Sequence, residues 1–213
     1  MRTPDSWHTA QATVAIAVVT AFAYLIVSTF QLEMWAIPMG AFVPAALGTD
    51  LGFARVPFVL TPLTAALLHA GFWHLAFNLL IFVFCGRAVE GAVGPVNLII
   101  LYVVGAYAAA VGHYLGGPNE IAPMVGASGA VSAVIGAYAM LFGKNRVRVA
   151  NPTLALWLNA LWLMAAWVGL QLVMGIVFRT GPGILVAVGA HIGGFLAGLV
   201  LARPLLLWRY RKA

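Results

Sequence analysis

The feature that most limits this chain is its shortage of charge: of 213 residues, 8% are Asp, Glu, Lys or Arg and 63% are hydrophobic. A soluble domain carries about 25% charged residues because its outside faces water, so the outside of this chain must face lipid. The charges that are present sit at the ends of long apolar runs. A hydrocarbon core about 30 Å thick needs roughly 20 helical residues to cross it. On that measure six spans are expected, near residues 10–30, 69–90, 96–115, 128–142, 153–178 and 184–207. The fold class is therefore an all-α polytopic membrane protein with six transmembrane helices, forming one membrane domain over residues 1–213. The first run lacks a signal-peptide pattern and has no small-residue cleavage site at its end, so it is read as a retained helix.

A net charge of +6 could suggest nucleic acid, but the basic residues mark orientation instead. Six spans put both termini on one side, together with Arg2, Arg87, Lys144, Arg146, Arg148, Arg203, Arg209, Arg211 and Lys212. The other side receives Arg55 and Arg179. Lys and Arg are retained in the cytoplasm, so both termini should be cytoplasmic. The expected home is a bacterial cell (inner) membrane, with the lipid bilayer as a partner and no nucleic acid. Cys85 stands alone in an apolar run, which excludes an intramolecular disulfide and a cysteine metal site. No metal or cofactor is expected. The connection 31–68 holds Pro38, Pro44, Pro57 and Pro62 among Trp35, Phe42, Phe53 and Phe58. Prolines break a continuous span and aromatics suit the headgroup region, so this stretch should lie in or on the interface.

Polar groups inside a bilayer are costly and mark function. Four stand out: His74 and Asn78 in the second run, Ser128 at the start of the fourth and His191 near the start of the sixth. Their depths agree. His74 and Asn78 fall roughly 7–14 Å below the outer end near His69, and His191 roughly 10 Å below the outer loop, at 1.5 Å per residue. Ser128 lies about 24 Å above the cytoplasmic limit at Lys144, short of a 30 Å core. The fourth helix must then open below the surface, and the irregular backbone ahead of it must dip to meet it. Such backbone is tolerated only when it is buried in protein or lines a wet cavity.

The neighbouring residues fit a crowded junction. Val125-Gly126-Ala127-Ser128-Gly129-Ala130 lets another backbone approach the serine, and Gly129, Ala133, Gly136 and Ala137 continue a small-residue face. Gly194 and Gly198 form a small-xxx-small pair below His191 that favours close helix contact. The chemistry this permits is acyl transfer, with His191 taking the Ser128 proton and returning it to the leaving amine. Asp5 and Asp50 lie outside the spans and Glu90 near a cytoplasmic end, so no acid completes a triad. His74 and Asn78, four residues apart on one helix face, could join the Ser128 N–H in stabilising an oxyanion.

At these residues the sequence resembles the rhomboid family of intramembrane serine proteases. The resemblance rests on His69-Ala-Gly-Phe-Trp-His74-Leu-Ala-Phe-Asn78, on Gly126-Ala-Ser128-Gly129, and on Ala190-His191-Ile-Gly-Gly194 followed by Gly198, in that order on the second, fourth and sixth spans. It implies a rhomboid-like bundle with a short central serine helix, a cavity open to the outer side, and transmembrane protein substrates. It implies Ser128 as nucleophile, His191 as base, and His74 with Asn78 as the oxyanion-stabilising pair. Two positions depart. Leu60 and Thr61 stand where many members carry a tryptophan–arginine pair. Ser132 stands where many carry a tyrosine stacked on the catalytic histidine.

Taken singly, each residue has a plainer reading. A serine in a membrane helix usually packs or bonds back to its own helix, and an asparagine usually joins helices. His69 is read as structural, tying the first loop to the second helix, and His8 and His113 as interfacial and inert. Ser132 is read as small-residue packing, Arg87 and Glu90 as a cytoplasmic-end contact, and Trp157, Trp162 and Trp167 as facing lipid or neighbouring helices. A zinc protease would need a pattern such as HExxH, and an aspartyl protease two aspartates within spans. Neither is present. A transporter would carry polar residues on toward the cytoplasmic side, where these helices are apolar. The remaining alternative is a catalytically inactive relative that binds transmembrane segments. Such relatives lack the serine or the histidine, and both are here.

Overall fold

A computed structural model of the chain describes residues 10–49, 52, 55–143, 151–177 and 187–211. Arg2, Asp5, His8, Asp50, Phe53, Lys144, Arg146, Arg148, Arg179, Lys212, the 179–183 connection and the expected start of the last span at Ile184 lie outside the described residues. The helices are α1 (Gln11–Thr29), α2 (Glu33–Gly40), α3 (Thr61–Leu67), α4 (Phe72–Val93), α5 (Pro95–Gly116), α6 (Ser128–Phe142), α7 (Pro152–Val177) and α8 (Ala187–Tyr210). The expected runs overlap α1, α4, α5, the shorter α6, α7 and α8 in turn. The connection 31–68, expected not to form one continuous span, holds α2, α3 and two short 3-10 turns at Pro44–Ala46 and Phe58–Leu60.

Among the described residues, α1, α4, α5, α7 and α8 are long and apolar enough to cross a membrane. Helix α6 has 15 residues and is about 22 Å long at 1.5 Å per residue, against about 33 Å for a 22-residue neighbour. The outside of the bundle is apolar: Phe22, Leu80, Phe84, Val111, Trp162 and Val200 are all exposed. Lipid can cover such a surface and water cannot.

The core sits around α6, from Ser128 to Ala137 continuously buried. Close approach is set by small residues. A Cβ on Gly194 or Gly198 would strike the backbone oxygen of Gly129 or Ala133, and one on Gly136 would strike the Phe195 oxygen. Helices α5 and α8 meet the same way through Gly112, Gly189 and Gly193. Without a hydrophobic force between helices in lipid, this dense contact is what holds them. Gly129 turns the other way, onto Ala109 of α5.

Polar side chains tie the remaining elements. The buried Glu90 carboxylate accepts from Ala12 N–H at 2.8 Å, Thr13 N–H at 2.7 Å and the Thr13 hydroxyl at 2.6 Å. It thus caps α1 from another helix, satisfying first-turn donors that have no intrahelical partner. Arg209 donates to the Gly91 carbonyl at 2.8 Å, which gathers the start of α1 and the ends of α4 and α8 at one end of the bundle.

At the opposite end, the 31–68 connection is sewn to the backbone ahead of α6. Phe42 and Met124 exchange N–H···O bonds of 3.1 and 2.8 Å, and Ala45 N–H reaches Glu120 O at 3.1 Å. Leu60 and Thr61 leave this connection anchored by other means. Thr61 Oγ1 donates to Phe58 O at 2.6 Å, Thr64 Oγ1 to Gly40 O at 2.6 Å, and Tyr107 OH to Val59 O at 2.9 Å. His113, expected at an interface, is buried beside Phe42 instead.

Replacing Glu90 by Ala strands buried donors of α1, and a hydrogen bond to a charged group contributes about 1.5–3 kcal/mol. Thermal unfolding in detergent should show Glu90→Ala destabilised by about that amount or more. Glu90→Gln, which keeps an acceptor, should lose less. A wild-type unfolding curve for Glu90→Ala would contradict this account of α1 docking.

Candidate functional site

Ser128 is the first residue of α6, with no side chain capping that end. Its first-turn N–H groups therefore have no intrahelical acceptor. Gly126 creates the sharp entry: it has φ +114° and its N–H bonds to Ala65 O at 2.9 Å, fastening the loop to α3. A Cβ there would lie 2.6 Å from His74 Cε1 and 2.7 Å from His74 Nε2. Glycine is needed both for the left-handed backbone and for the room that the imidazole takes.

Close helix contact brings His191, on the first turns of α8, to Ser128. Its Nε2 lies 2.9 Å from Ser128 Oγ, a normal hydrogen-bond distance. Both residues are buried, 8% and 4% exposed. His191 Nδ1 is also buried and has no hydrogen-bonding partner among the described residues. A narrow cleft of about 30 Å³ runs past Ser128 and His191, lined by Pro62, Ala66, Met124 and Gly126 among others. Its walls are mostly small and apolar.

His74 lines the same junction through its contact with Gly126. Asn78, one turn along α4, is buried and donates from its amide to the His74 carbonyl at 2.8 Å. Its Oδ1 has no partner among the described residues. His69 differs from its expected role. Its ring meets His74 edge-on, and its Nε2 accepts from the Ala127 N–H at 3.4 Å. It therefore braces the backbone just before Ser128 and not only the first loop.

Ser132 is more than packing. It donates to the Ser128 carbonyl at 2.7 Å and accepts from Trp167 Nε1–H at 2.7 Å. The Trp167 ring stands edge-on to His191, with centroids 6.1 Å apart. Sequence reasoning missed Trp167, because three tryptophans spaced along an apolar helix give no sign of which one turns inward. Trp157 and Trp162 are 50% and 71% exposed, whereas Trp167 is 5% exposed.

A helical bundle with a lipid-compatible surface and a buried Ser–His contact beside a cleft defines an integral membrane protein with a serine-centred site. Residues 59–208 match the Rhomboid domain family, and the chain belongs to that family. The Rhomboid protease GluP of Bacillus subtilis (strain 168) is 28% identical over 149 residues, covering 67% of this chain and 26% of that protein. RHOMBOID-like protein 1 of Arabidopsis thaliana is 31% identical over 146 residues, covering 68% and 34%. RHOMBOID-like protein 5 of the same plant is 31% identical over 142 residues, covering 66% and 42%. The chain thus matches less than half the length of these relatives. The first is named a protease, and the plant names state no activity.

Adding a methyl at Gly126 both strains the backbone and pushes on His74. Strained backbone of this kind costs on the order of 1–3 kcal/mol. Gly126→Ala should therefore unfold earlier than wild type in detergent, whereas Gly169→Ala, with open space at its Cβ, should not. Equal stability of Gly126→Ala and wild type would contradict the packing described.

Proposed function

We propose that this chain is an intramembrane serine endopeptidase that hydrolyses peptide bonds of transmembrane substrates with a Ser128–His191 dyad. The observation that carries the proposal is the 2.9 Å contact between Ser128 Oγ and His191 Nε2. It is a buried nucleophile–base pair in a family with a protease among this chain's relatives.

With Nε2 unprotonated, the serine hydroxyl donates to it. Oγ attacks the scissile carbonyl carbon as the proton moves to His191, giving a tetrahedral oxyanion. The imidazolium then returns that proton to the amide nitrogen, the C–N bond breaks and the amine leaves. Water, deprotonated by His191, splits the acyl ester and restores Ser128. The oxyanion is stabilised by the Ser128 N–H, by His74 and by the second amide N–H of Asn78, since one N–H is held by the His74 carbonyl. Removing one such donor typically costs about 10²–10³ in turnover. Gly126, Gly129, Gly194, Gly198 and His69 set the geometry, and no metal or cofactor takes part.

In the same reading the chain is one domain of six spans, with α6 as a short central crossing. Both termini face the cytoplasm of a bacterial inner membrane, and the cleft opens to the outer side. The shortness of α6 supports a site sunk below that surface. The alternative is an inactive relative that only binds transmembrane segments; the retained Ser–His contact favours the enzyme.

The test reconstitutes the protein in liposomes with a single-span reporter carrying a Gly-Ala pair in the outer third of its helix. Ser128→Ala and His191→Ala should abolish cleavage, and Asn78→Ala should lower turnover by about 10²-fold. Undiminished cleavage by Ser128→Ala or His191→Ala would remove the dyad. A reporter domain fused after Ala213 should read cytoplasmic, and an external reading would reverse the orientation.

A further inference from the structure

We propose that Trp167 is a positioning residue for His191, with Ser132 as its anchor; this rests on the dyad reading above. A base that serves a serine is ordinarily oriented by a group bonded to its other ring nitrogen. His191 Nδ1 has no such partner among the described residues, although it is buried. The terminal torsion of a histidine is broad, so a ring without that bond must be held by the surfaces it touches.

Trp167 supplies one of those surfaces. Its indole meets the imidazole at 68° with centroids 6.1 Å apart, the edge-to-face arrangement that aromatic rings favour. The indole is itself pinned. Its N–H donates to Ser132 Oγ at 2.7 Å, and Ser132 donates in turn to the Ser128 carbonyl at 2.7 Å. Together with the 2.9 Å contact between Ser128 and His191, these make a closed circuit. It runs from the Ser128 backbone through Ser132, Trp167 and His191 back to the Ser128 hydroxyl, and it joins α6, α7 and α8.

The circuit also accounts for Ser132. A serine bonded to the carbonyl one turn back still has a lone pair to offer, and here the indole N–H takes it. Helix α7 turns Trp157 and Trp162 outward and buries Ala155, Ala160 and Trp167; of these the indole meets His191.

A tryptophan that merely fills the core would affect how much protein folds, not the turnover of each folded molecule. The test therefore measures kcat and KM per folded molecule, on the liposome-reconstituted protein with the single-span reporter. A misplacement of about 1 Å can cost roughly 10²-fold. Trp167→Ala should lose kcat on that scale with KM little changed, and Trp167→Phe, which keeps a ring against His191, should recover most of it.

Ser132→Ala and Trp167→Phe should each cost several-fold. The double variant should be no worse than Trp167→Phe alone, because both remove the same bond. Wild-type kcat in Trp167→Ala, or a loss confined to KM, overturns the proposal. If Trp167→Ala does not fold, the double-variant cycle decides, and losses that multiply independently overturn it. Ser128→Ala run alongside separates the two ideas: if it cleaves at the wild-type rate the dyad itself fails, whatever Trp167 does.

Discussion

Helix α8 lies so close to α6 that a methyl group on Gly194 or Gly198 would collide with the α6 backbone. Almost everything else at the site depends on that approach. Ser128 and His191 come from helices separated by 63 residues in sequence, and neither side chain is long. Their contact exists because the two backbones touch along a glycine seam. Lipid tails offer no hydrophobic reward for helix association, so the seam must hold by dense packing alone. A second seam, Gly112 against Gly189 and Gly193, wedges α8 against α5 as well. His191 is thus set by two backbone surfaces before any hydrogen bond is formed.

The polar residues divide by the end of the bundle they occupy. At one end Glu90 and Arg209 bind backbone groups, joining α1, α4 and α8. At the other, the loop ahead of Ser128 is held by Phe42, Ala65 and His69 through backbone bonds and one imidazole. A buried polar group without a partner is costly, and most of these groups have one. At the site His74 Nδ1, Asn78 Oδ1 and His191 Nδ1 are buried and unpaired among the described residues, as is Asn159 Nδ2 away from it.

Much of this was legible in the sequence, for physical reasons. Helix positions follow from apolar run length, and the fourth run was expected to start at Ser128, where α6 begins. The Gly194–Gly198 contact follows from small residues one turn apart. Other features had no one-dimensional signal. Whether Trp157, Trp162 or Trp167 points inward depends on the rotation of α7 about its axis, which an all-round apolar helix does not reveal. The burial of His113 and the bond from Ala127 to His69 depend on loops that pair across the bundle. Glu90 was read as a helix-end contact, and its actual partners in α1 lie 77 and 78 residues away. Gly112 and Gly189 were overlooked because neither stands beside a chemically distinctive residue.

The central claim is that Ser128 is a nucleophile activated by His191, and covalent capture tests it most directly. The reconstituted protein is treated with a fluorophosphonate, and the modified residue is identified by mass spectrometry. The account predicts a single adduct on Ser128, lost in His191→Ala while the folded protein remains. Failure to label Ser128, or undiminished labelling in His191→Ala, would contradict it.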